Sequence, residues 1–296
     1  MCGLIAWVTS PGDRPDPERL VQASECMSYR GPDDQGVARI NNVGLAHRRL
    51  SILDLSERGH QPMKHVETDW QIIYNGEIYN YRDIRKNLKR TGYEFQSNTD
   101  TEVLLKGWVE WGEDVFQRVN GMYAVVLFNP REESLVLARD LFGMKPLYIF
   151  QDDGQIVIGS EIKGILEIIR SSPQLDPEGL NEYLAYQNFF TDCTLIEGIR
   201  TIEPGVVYEF DTDSPMASPQ KQTIQDIHFS GEYFGSKSDA QREIEVSLRN
   251  SVRRHMISDV PVNSYLSGGI DSSTICMLAG QHRDRLKTFT VGFDMS

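Results

Sequence analysis

The chain has 296 residues, 40% of them hydrophobic and 25% charged, the profile of a globular protein long enough for one large or two ordinary domains. A net charge of −13 and a pI near 5.0 exclude a phosphate-backbone partner, which requires a basic footprint, so no nucleic acid is expected. No run approaches eighteen apolar residues, and Cys2, Cys26, Cys193 and Cys276 lack C-x-x-C spacing, which sets aside a membrane span, a zinc site and a disulfide framework.

Gly3–Thr9 opens the chain as a short apolar run without a basic segment before it. It reads as a strand rather than a signal peptide, and with unpaired cysteines it points to a cytoplasmic protein. Val43–Leu53, Gln71–Tyr74, Tyr123–Phe128, Ser134–Arg139 and Leu147–Phe150 are further strand candidates, and residues 150–158 read as a hairpin turning at Asp153-Gly154. Arg82–Thr91 carries Ile84 and Leu88 on one helical face and stops at Gly92. Thr99-Asp100-Thr101-Glu102 has capping-box spacing before an apolar stretch, and Asp176-Pro177-Glu178 places an N-cap before a proline at the first helical position. The Ser- and Pro-rich stretch Asp211–Gln225 reads as a linker. Beyond Ser238, Ile244, Leu248, Val252 and Met256 recur at helical intervals. A strand over Val262–Leu266 then runs into Ser267-Gly268-Gly269-Ile270-Asp271-Ser272-Ser273, followed by a helix and a strand over Thr288–Phe293. Strand, glycine turn, helix and strand together open an α/β nucleotide fold.

Two constellations carry chemistry. Cys2 becomes the amino terminus once Met1 is removed, which places a thiol and a free α-amine on one residue. An ordinary thiol near pKa 8.5 is mostly protonated at neutral pH, and an amine near 7.7–8.0 is suited to take its proton. Taken alone, Cys2 reads more readily as a small buried hydrophobe than as a nucleophile. The glycines of Ser267–Ser273 stand between a strand and a helix, where backbone N–H groups converge on an anion. Serine hydroxyls add donors there, and Asp271 could orient a magnesium ion or the loop itself. The segment is not a Walker A loop.

Cys2 and S-G-G-I-D-S-S together resemble the glutamine-hydrolysing asparagine synthetase family. Between them, Arg30-Gly31-Pro32-Asp33, His47–Ile52, Asn75–Asn80, Asp100-Thr101-Glu102, Arg139-Asp140 with Phe142–Tyr148, and Ser160–Lys163 match family blocks in order. Asp259-Val260-Pro261-Val262 precedes the glycine loop as the pattern expects. The resemblance implies an α+β Ntn-hydrolase fold, a four-layer αββα sandwich, as a class II glutamine amidotransferase domain over 1–210. A linker over 211–237 and the first part of an α/β ATP-pyrophosphatase domain over 238–296 would follow.

It further implies that Cys2 attacks the glutamine amide while Asn75 and Gly76 stabilise the oxyanion. Arg49 is expected to clamp the carboxylate, with Leu50, Ser51, Ile52 and Leu53 lining the pocket as a strand. Glu77 and Asp100 are expected to meet the ammonium. Leu266, Ser267, Gly268, Gly269, Asp271, Ser272 and Val291 are expected at ATP. ATP and Mg2+ would serve the synthetase reaction and glutamine hydrolysis would need neither, with no resident metal site.

The family continues for several hundred residues past this loop, whereas this chain stops at Asp294-Met295-Ser296, so the synthetase half is expected to be truncated. Asn263 stands where the family usually has glycine. Glutamine, ATP and aspartate are the expected substrates. The alternatives are a stand-alone glutaminase or glutamine-binding module, or an amidotransferase for another carboxylate. A homo-oligomer or a separate synthetase chain are the possible protein partners.

Overall fold

An unbroken apolar run such as Gly3–Thr9 can be satisfied only where both faces of a strand are covered, and it forms β1 (Gly3–Thr9), buried along its whole length. The computed structural model describes residues 1–152, 154–215, 217–225, 231 and 233–292. They divide into two compact units, Met1–Asp226 and Ile227–Ser296.

In the first unit β1 is followed by α1 (Pro17–Glu25), whose Asp16 carboxylate caps the Glu18 N–H, then by β2 (Asp34–Ile40) and β3 (Val43–Arg49). Next come β4 (Met63–Lys64), β5 (Gln71–Ile78), α2 (Tyr81–Arg90), α3 (Asp100–Trp111) and α4 (Val115–Arg118). β6 (Gly121–Asn129), β7 (Ser134–Arg139), β8 (Tyr148–Asp152) and β9 (Gln155–Gly159) lead to α5 (Ile162–Ile169) and α6 (Pro177–Tyr186). The unit closes with β10 (Ile199–Thr201), β11 (Val206–Asp211) and β12 (Gln220–Thr223).

Among the described residues these strands make two six-stranded antiparallel sheets, ordered β10-β8-β9-β1-β3-β2 and β12-β11-β7-β6-β5-β4. Alternate residues of each point into one shared core. Leu4, Ala6, Val8 and Leu45 of the first sheet meet Ile73, Val126, Phe128 and Leu137 of the second. Burying each such Leu, Ile or Phe contributes about 1.5–3 kcal/mol. On the outer face of the first sheet, Ile5 and Trp7 pack against Leu20, Ala23 and Met27 of α1 and Ile165 and Ile168 of α5. α3 packs on β5 and α2 on α3, which gives the αββα layering expected.

Several expectations shift. The strand over Val43–Leu53 ends at Arg49, because the Arg49 guanidinium gathers the carbonyls of Leu53, Asp54 and Ser56 and curls the chain. Within the linker expected over 211–237, Gln220–Thr223 instead pairs with β11 as a wholly exposed edge strand. Its polar sequence gives no alternation to read, since neither face is covered. Asp153 of the hairpin turn and residues 216, 226–230 and 232 of the linker lie outside the described residues. At α3, Thr99 does cap the Glu102 N–H, but the Glu102 carboxylate accepts from the amides of Gln96 and Ser97 rather than from Thr99.

The second unit contains α7 (Lys237–His255), β13 (Asn263–Tyr265), α8 (Ile270–Gly280) and β14 (Lys287–Phe289). Val252 of α7 and Met256 just after its end pack on Leu278 and Ala279 of α8, while Ile244 is exposed. β13 and β14 pair in parallel, three residues each, with α8 between them in sequence. Phe293, at the end of the second expected strand, and residues 294–296 lie outside the described residues.

Candidate functional site

Cys2 sits immediately before β1, in the middle of its sheet, and β3 runs antiparallel beside it with Gly3 opposite Arg48. That register brings the end of β3 to the thiol: the Leu50 N–H reaches Cys2 Sγ at 3.4 Å, and Sγ lies 3.8 Å from the Leu50 carbonyl. A cavity of about 220 Å³ opens here, lined by Cys2, Arg49, Leu50, Ile52 and Leu53 from one side. Asn75, Gly76, Glu77 and Asp100 line it from the other. It is smaller than the roughly 300–1,000 Å³ of drug-sized sites and suits a small polar ligand. Met1 also lines it, so the chain's own first residue covers the thiol.

β5 supplies the wall opposite Cys2. On the edge that faces away from β6, the Tyr74 N–H donates to Gln61 Oε1 at 2.7 Å and the Ile78 N–H to Asp100 Oδ2 at 2.9 Å. With side-to-side alternation along a strand, Gly76 presents its N–H on that same edge, between two amides already engaged. A β-carbon at Gly76 would stand 2.4 Å from the Met122 carbonyl oxygen, so only glycine lets the strands approach this closely. Asn75 is 1% exposed, and among the described residues its side-chain Nδ2 has no hydrogen-bond partner. A buried amide without an acceptor costs about 1–3 kcal/mol, so a donor left in this state at a cavity wall marks a place for a ligand oxygen.

The charges in the cavity are of both signs. Asp100, first residue of α3, benefits from the helix N-terminus and accepts from the Tyr74 hydroxyl at 2.8 Å. Burial nevertheless pushes its carboxyl above the ordinary range. Burial and the neighbouring Asp100 raise Glu77 to about 7, against the pull of Lys145. Burial pushes the Cys2 thiol up, while the Leu50 N–H, the terminal amine and Arg49 oppose that shift. Burial lowers the terminal amine of Met1. Three Arg49 N–H groups reach the loop carbonyls of Leu53, Asp54 and Ser56, which fixes the guanidinium at the cavity wall.

Of the residues expected at this site, the structure gathers all but Ser51 around the cavity. The Ser51 amide donates to Asp33 Oδ2 at 2.8 Å instead, because the chain has already turned away from the strand direction.

Other residues belong to the site without having been given a role. Arg30, itself paired with Glu161 at 2.8 Å, donates from Nε to the Cys2 carbonyl at 2.9 Å and fixes the backbone of the thiol residue. Tyr74, Gln61, Met122 and Lys145 line the cavity. His47, buried between the sheets, lies with Nε2 3.0 Å from the Tyr74 carbonyl, and burial lowers its pKa to about 4. It is therefore neutral at pH 7 and donates from Nε2. Arg30, His47 and Lys145 fall inside the matched sequence blocks, which is the one signal that could have drawn attention to them.

In the second unit, Leu266 and Val291 lie just beyond the ends of the parallel strands β13 and β14. The Leu266 N–H donates to the Phe289 carbonyl at 2.9 Å. Gly268 takes φ +84, the left-handed region open to glycine, and turns the chain into α8 with Gly269 as N-cap. Ser272 Oγ ties the loop together, 3.2 Å from the Ser267 N–H and 3.0 Å from Ser267 Oγ. The arrangement is an exposed turn at the carboxyl ends of parallel strands, opening an eleven-residue helix, and it fits an anionic phosphate. Among the described residues no group of three or more His, Cys, Asp and Glu could hold a metal ion.

Comparison with known proteins agrees with this geometry. Residues 1–222 match the family model of the glutamine amidotransferase domain, and residues 243–296 match that of asparagine synthase. The chain belongs to the glutamine amidotransferase family. It is 35% identical to asparagine synthetase [glutamine-hydrolyzing] 1 of Bacillus subtilis, over 99% of this chain and 46% of that protein. It is 34% identical to a putative asparagine synthetase [glutamine-hydrolyzing] of Mycobacterium tuberculosis (strain ATCC 25618 / H37Rv), over 99% and 48% respectively. The chain thus spans about half the length of these curated relatives. Among solved structures, glutamine phosphoribosylpyrophosphate amidotransferase from B. subtilis superimposes with a TM-score of 0.57 at 13% identity, covering 98% of this chain and 65% of that one. That likeness is one of fold, and it agrees with the Ntn-hydrolase sandwich. No helix among the described residues is long and apolar enough to cross a membrane.

Proposed function

We propose that the first unit hydrolyses glutamine at Cys2 and that the ammonia serves an ATP-dependent amidation begun by the second unit. The observation that carries this reading is the buried, unpartnered Nδ2 of Asn75 in the cavity that holds Cys2. After Met1 is removed, the Cys2 amine takes the thiol proton while Sγ attacks the side-chain amide carbon of glutamine. The carbonyl oxygen becomes an oxyanion held by Asn75 Nδ2 and the Gly76 N–H. Collapse expels ammonia with the proton returned by the amine and leaves a thioester on Cys2. Water, losing a proton to the same amine, releases glutamate and restores the thiol. Arg49 meets the substrate carboxylate and Asp100 and Glu77 meet its ammonium, so the pocket selects a free amino acid. Arg30 holds the Cys2 carbonyl still while its neighbouring atoms react.

On the same reading, Ser267, Gly268, Gly269, Asp271 and Ser272 hold the phosphates of ATP, with Leu266 and Val291 bordering its adenosine and magnesium accompanying the pyrophosphate. An acceptor carboxylate attacks the α-phosphate, pyrophosphate leaves, and ammonia displaces AMP from the acyl-adenylate. Aspartate is the acceptor favoured by the names of the relatives in B. subtilis and M. tuberculosis. The glutaminase is assigned to 1–210, with 238–296 as the start of the synthetase and a cytoplasmic setting. The second reading is an amidotransferase for another carboxylate; the chain is also 30% identical, over 93% of its length and 42% of the relative, to a protein named amidase chry2 of Gibberella zeae. The glutaminase chemistry is the same in either case.

The N-terminal mass of the purified protein and its release of glutamate from glutamine test the reading together. We expect a mature chain beginning at Cys2 that produces glutamate. An active protein retaining Met1 would overturn the terminal-amine step, and a processed, folded but inactive one would overturn the glutaminase.

A further inference from the structure

Lys145 is an unexpected residue to find beside Cys2. It is only 8% exposed, and it lines the cavity that holds the thiol. Burying an ammonium is unfavourable unless opposite charge compensates, so an incidental lysine would extend to solvent. The loop that carries it is instead firmly held. Asp140 accepts from the amides of Phe142, Met144 and Lys145 at 2.9–3.1 Å, and from the Tyr123 N–H at 3.1 Å. Arg139 donates to the carbonyls of Lys145, Gly143 and Ile202, each at 2.7 Å. Phe142 and Met144 face outward at 73% and 62% exposure while Lys145 faces in, the reverse of what hydrophobicity alone would arrange.

We propose that Lys145 is a positioning residue for the nucleophile: the Arg139–Lys145 loop is folded to hold a fixed cation in the cavity, where it favours the Cys2 thiolate. This rests on Cys2 as the reacting group in the proposed glutaminase. The charges that act on Cys2 are the terminal amine and Arg49, which favour the thiolate, and Asp100, which opposes it, with the Tyr74 phenol also coupled to the thiol. Burial lowers the pKa of the Lys145 ammonium and Arg30 adds to that shift, while Glu77, Cys2 and Asp140 oppose it and favour the charged form. Against burial, which pushes the thiol up, Lys145 adds a cation that remains when the terminal amine is neutral and acting as a base. That division fits the chemistry: the amine must lose its charge to accept a proton, and a lysine need not.

The test is the pH dependence of Cys2 alkylation by iodoacetamide, followed on the N-terminal peptide by mass spectrometry, since the thiolate is the form that reacts. Relative to wild type, Lys145→Met should move the midpoint upward by about one pH unit, roughly a tenfold loss of thiolate at neutral pH. Lys145→Arg should restore most of it. An unchanged midpoint in Lys145→Met, or an equal shift in Lys145→Arg, would overturn the proposal; Lys145→Gln carries the same test should the Met variant not fold. The readout needs no glutamine turnover. A wild type that alkylates as expected but releases no glutamate would therefore contradict the glutaminase reading and leave the lysine's effect on the thiol standing.

Discussion

The cavity beside Cys2 and the glycine loop at Ser267–Ser273 are built in opposite ways. Around Cys2, groups from β3, β5 and the start of α3 are bonded to one another, the Asp140 loop is bonded to β6, and most of these residues are buried. At the glycine loop nearly every residue is exposed, and its hydrogen bonds run between neighbours such as Ser267 and Ser272. The first site is positioned by the packing of a whole domain, so its geometry and the stability of the fold are coupled. The second is positioned by local turn chemistry, so it can be altered with little effect on folding.

The sharpest way to break this contrast is Asn75→Ala. Loss of one oxyanion donor should lower kcat for glutamine hydrolysis by about 10²–10³-fold with KM little changed, measured as glutamate release. A loss of tenfold or less would place the donor elsewhere. Asp100→Asn removes a charge from both the ligand and the Tyr74–Ile78 network. At about 1.5–3 kcal/mol for a charge-assisted bond, KM should rise roughly ten- to hundredfold and the melting temperature should fall as well. An effect on KM without one on melting would show that site and fold are less coupled than the hydrogen bonds imply.

How much of this was legible in the sequence follows the same division. Cys2 and the S-G-G loop were readable because their chemistry is local, a residue beside a terminus and glycines before a helix, whereas Asn75-Gly76 took its oxyanion role from the family pattern. Arg49 and Asp100 emerged as site residues only through the family pattern. Tyr74, Gln61 and Arg30 were not assigned, since each acts on a partner distant in sequence, as when Arg30 reaches Cys2 across 28 positions. Ser51 was placed in the pocket by treating 50–53 as a continuing strand; Arg49's hold on three carbonyls redirects the chain there. Among strands, β12 was missed because QKQT is polar on both faces, while β1 and β7 were found with their full ranges because both are buried throughout.

Glu77 sharpens the comparison through pH. With its carboxyl raised to about 7, it gains a proton as the pH falls below that value and loses its attraction for the substrate ammonium. KM for glutamine should therefore rise severalfold between pH 8 and pH 6, and Glu77→Gln should flatten that dependence. A wild-type KM independent of pH over this window would remove Glu77 from ammonium binding. The smallest effect belongs to the loop: Ser272→Ala should change unfolding free energy by less than about 0.5 kcal/mol and leave glutamate release as in wild type. A larger loss of stability would mean that the loop is more than a local turn.

The most direct measurement of the central claim is glutamate release by Cys2→Ala beside the wild-type chain, with circular dichroism confirming that both are folded. We predict turnover in the wild type and none above background in the variant. A folded Cys2→Ala protein that hydrolyses glutamine at the wild-type rate would contradict it.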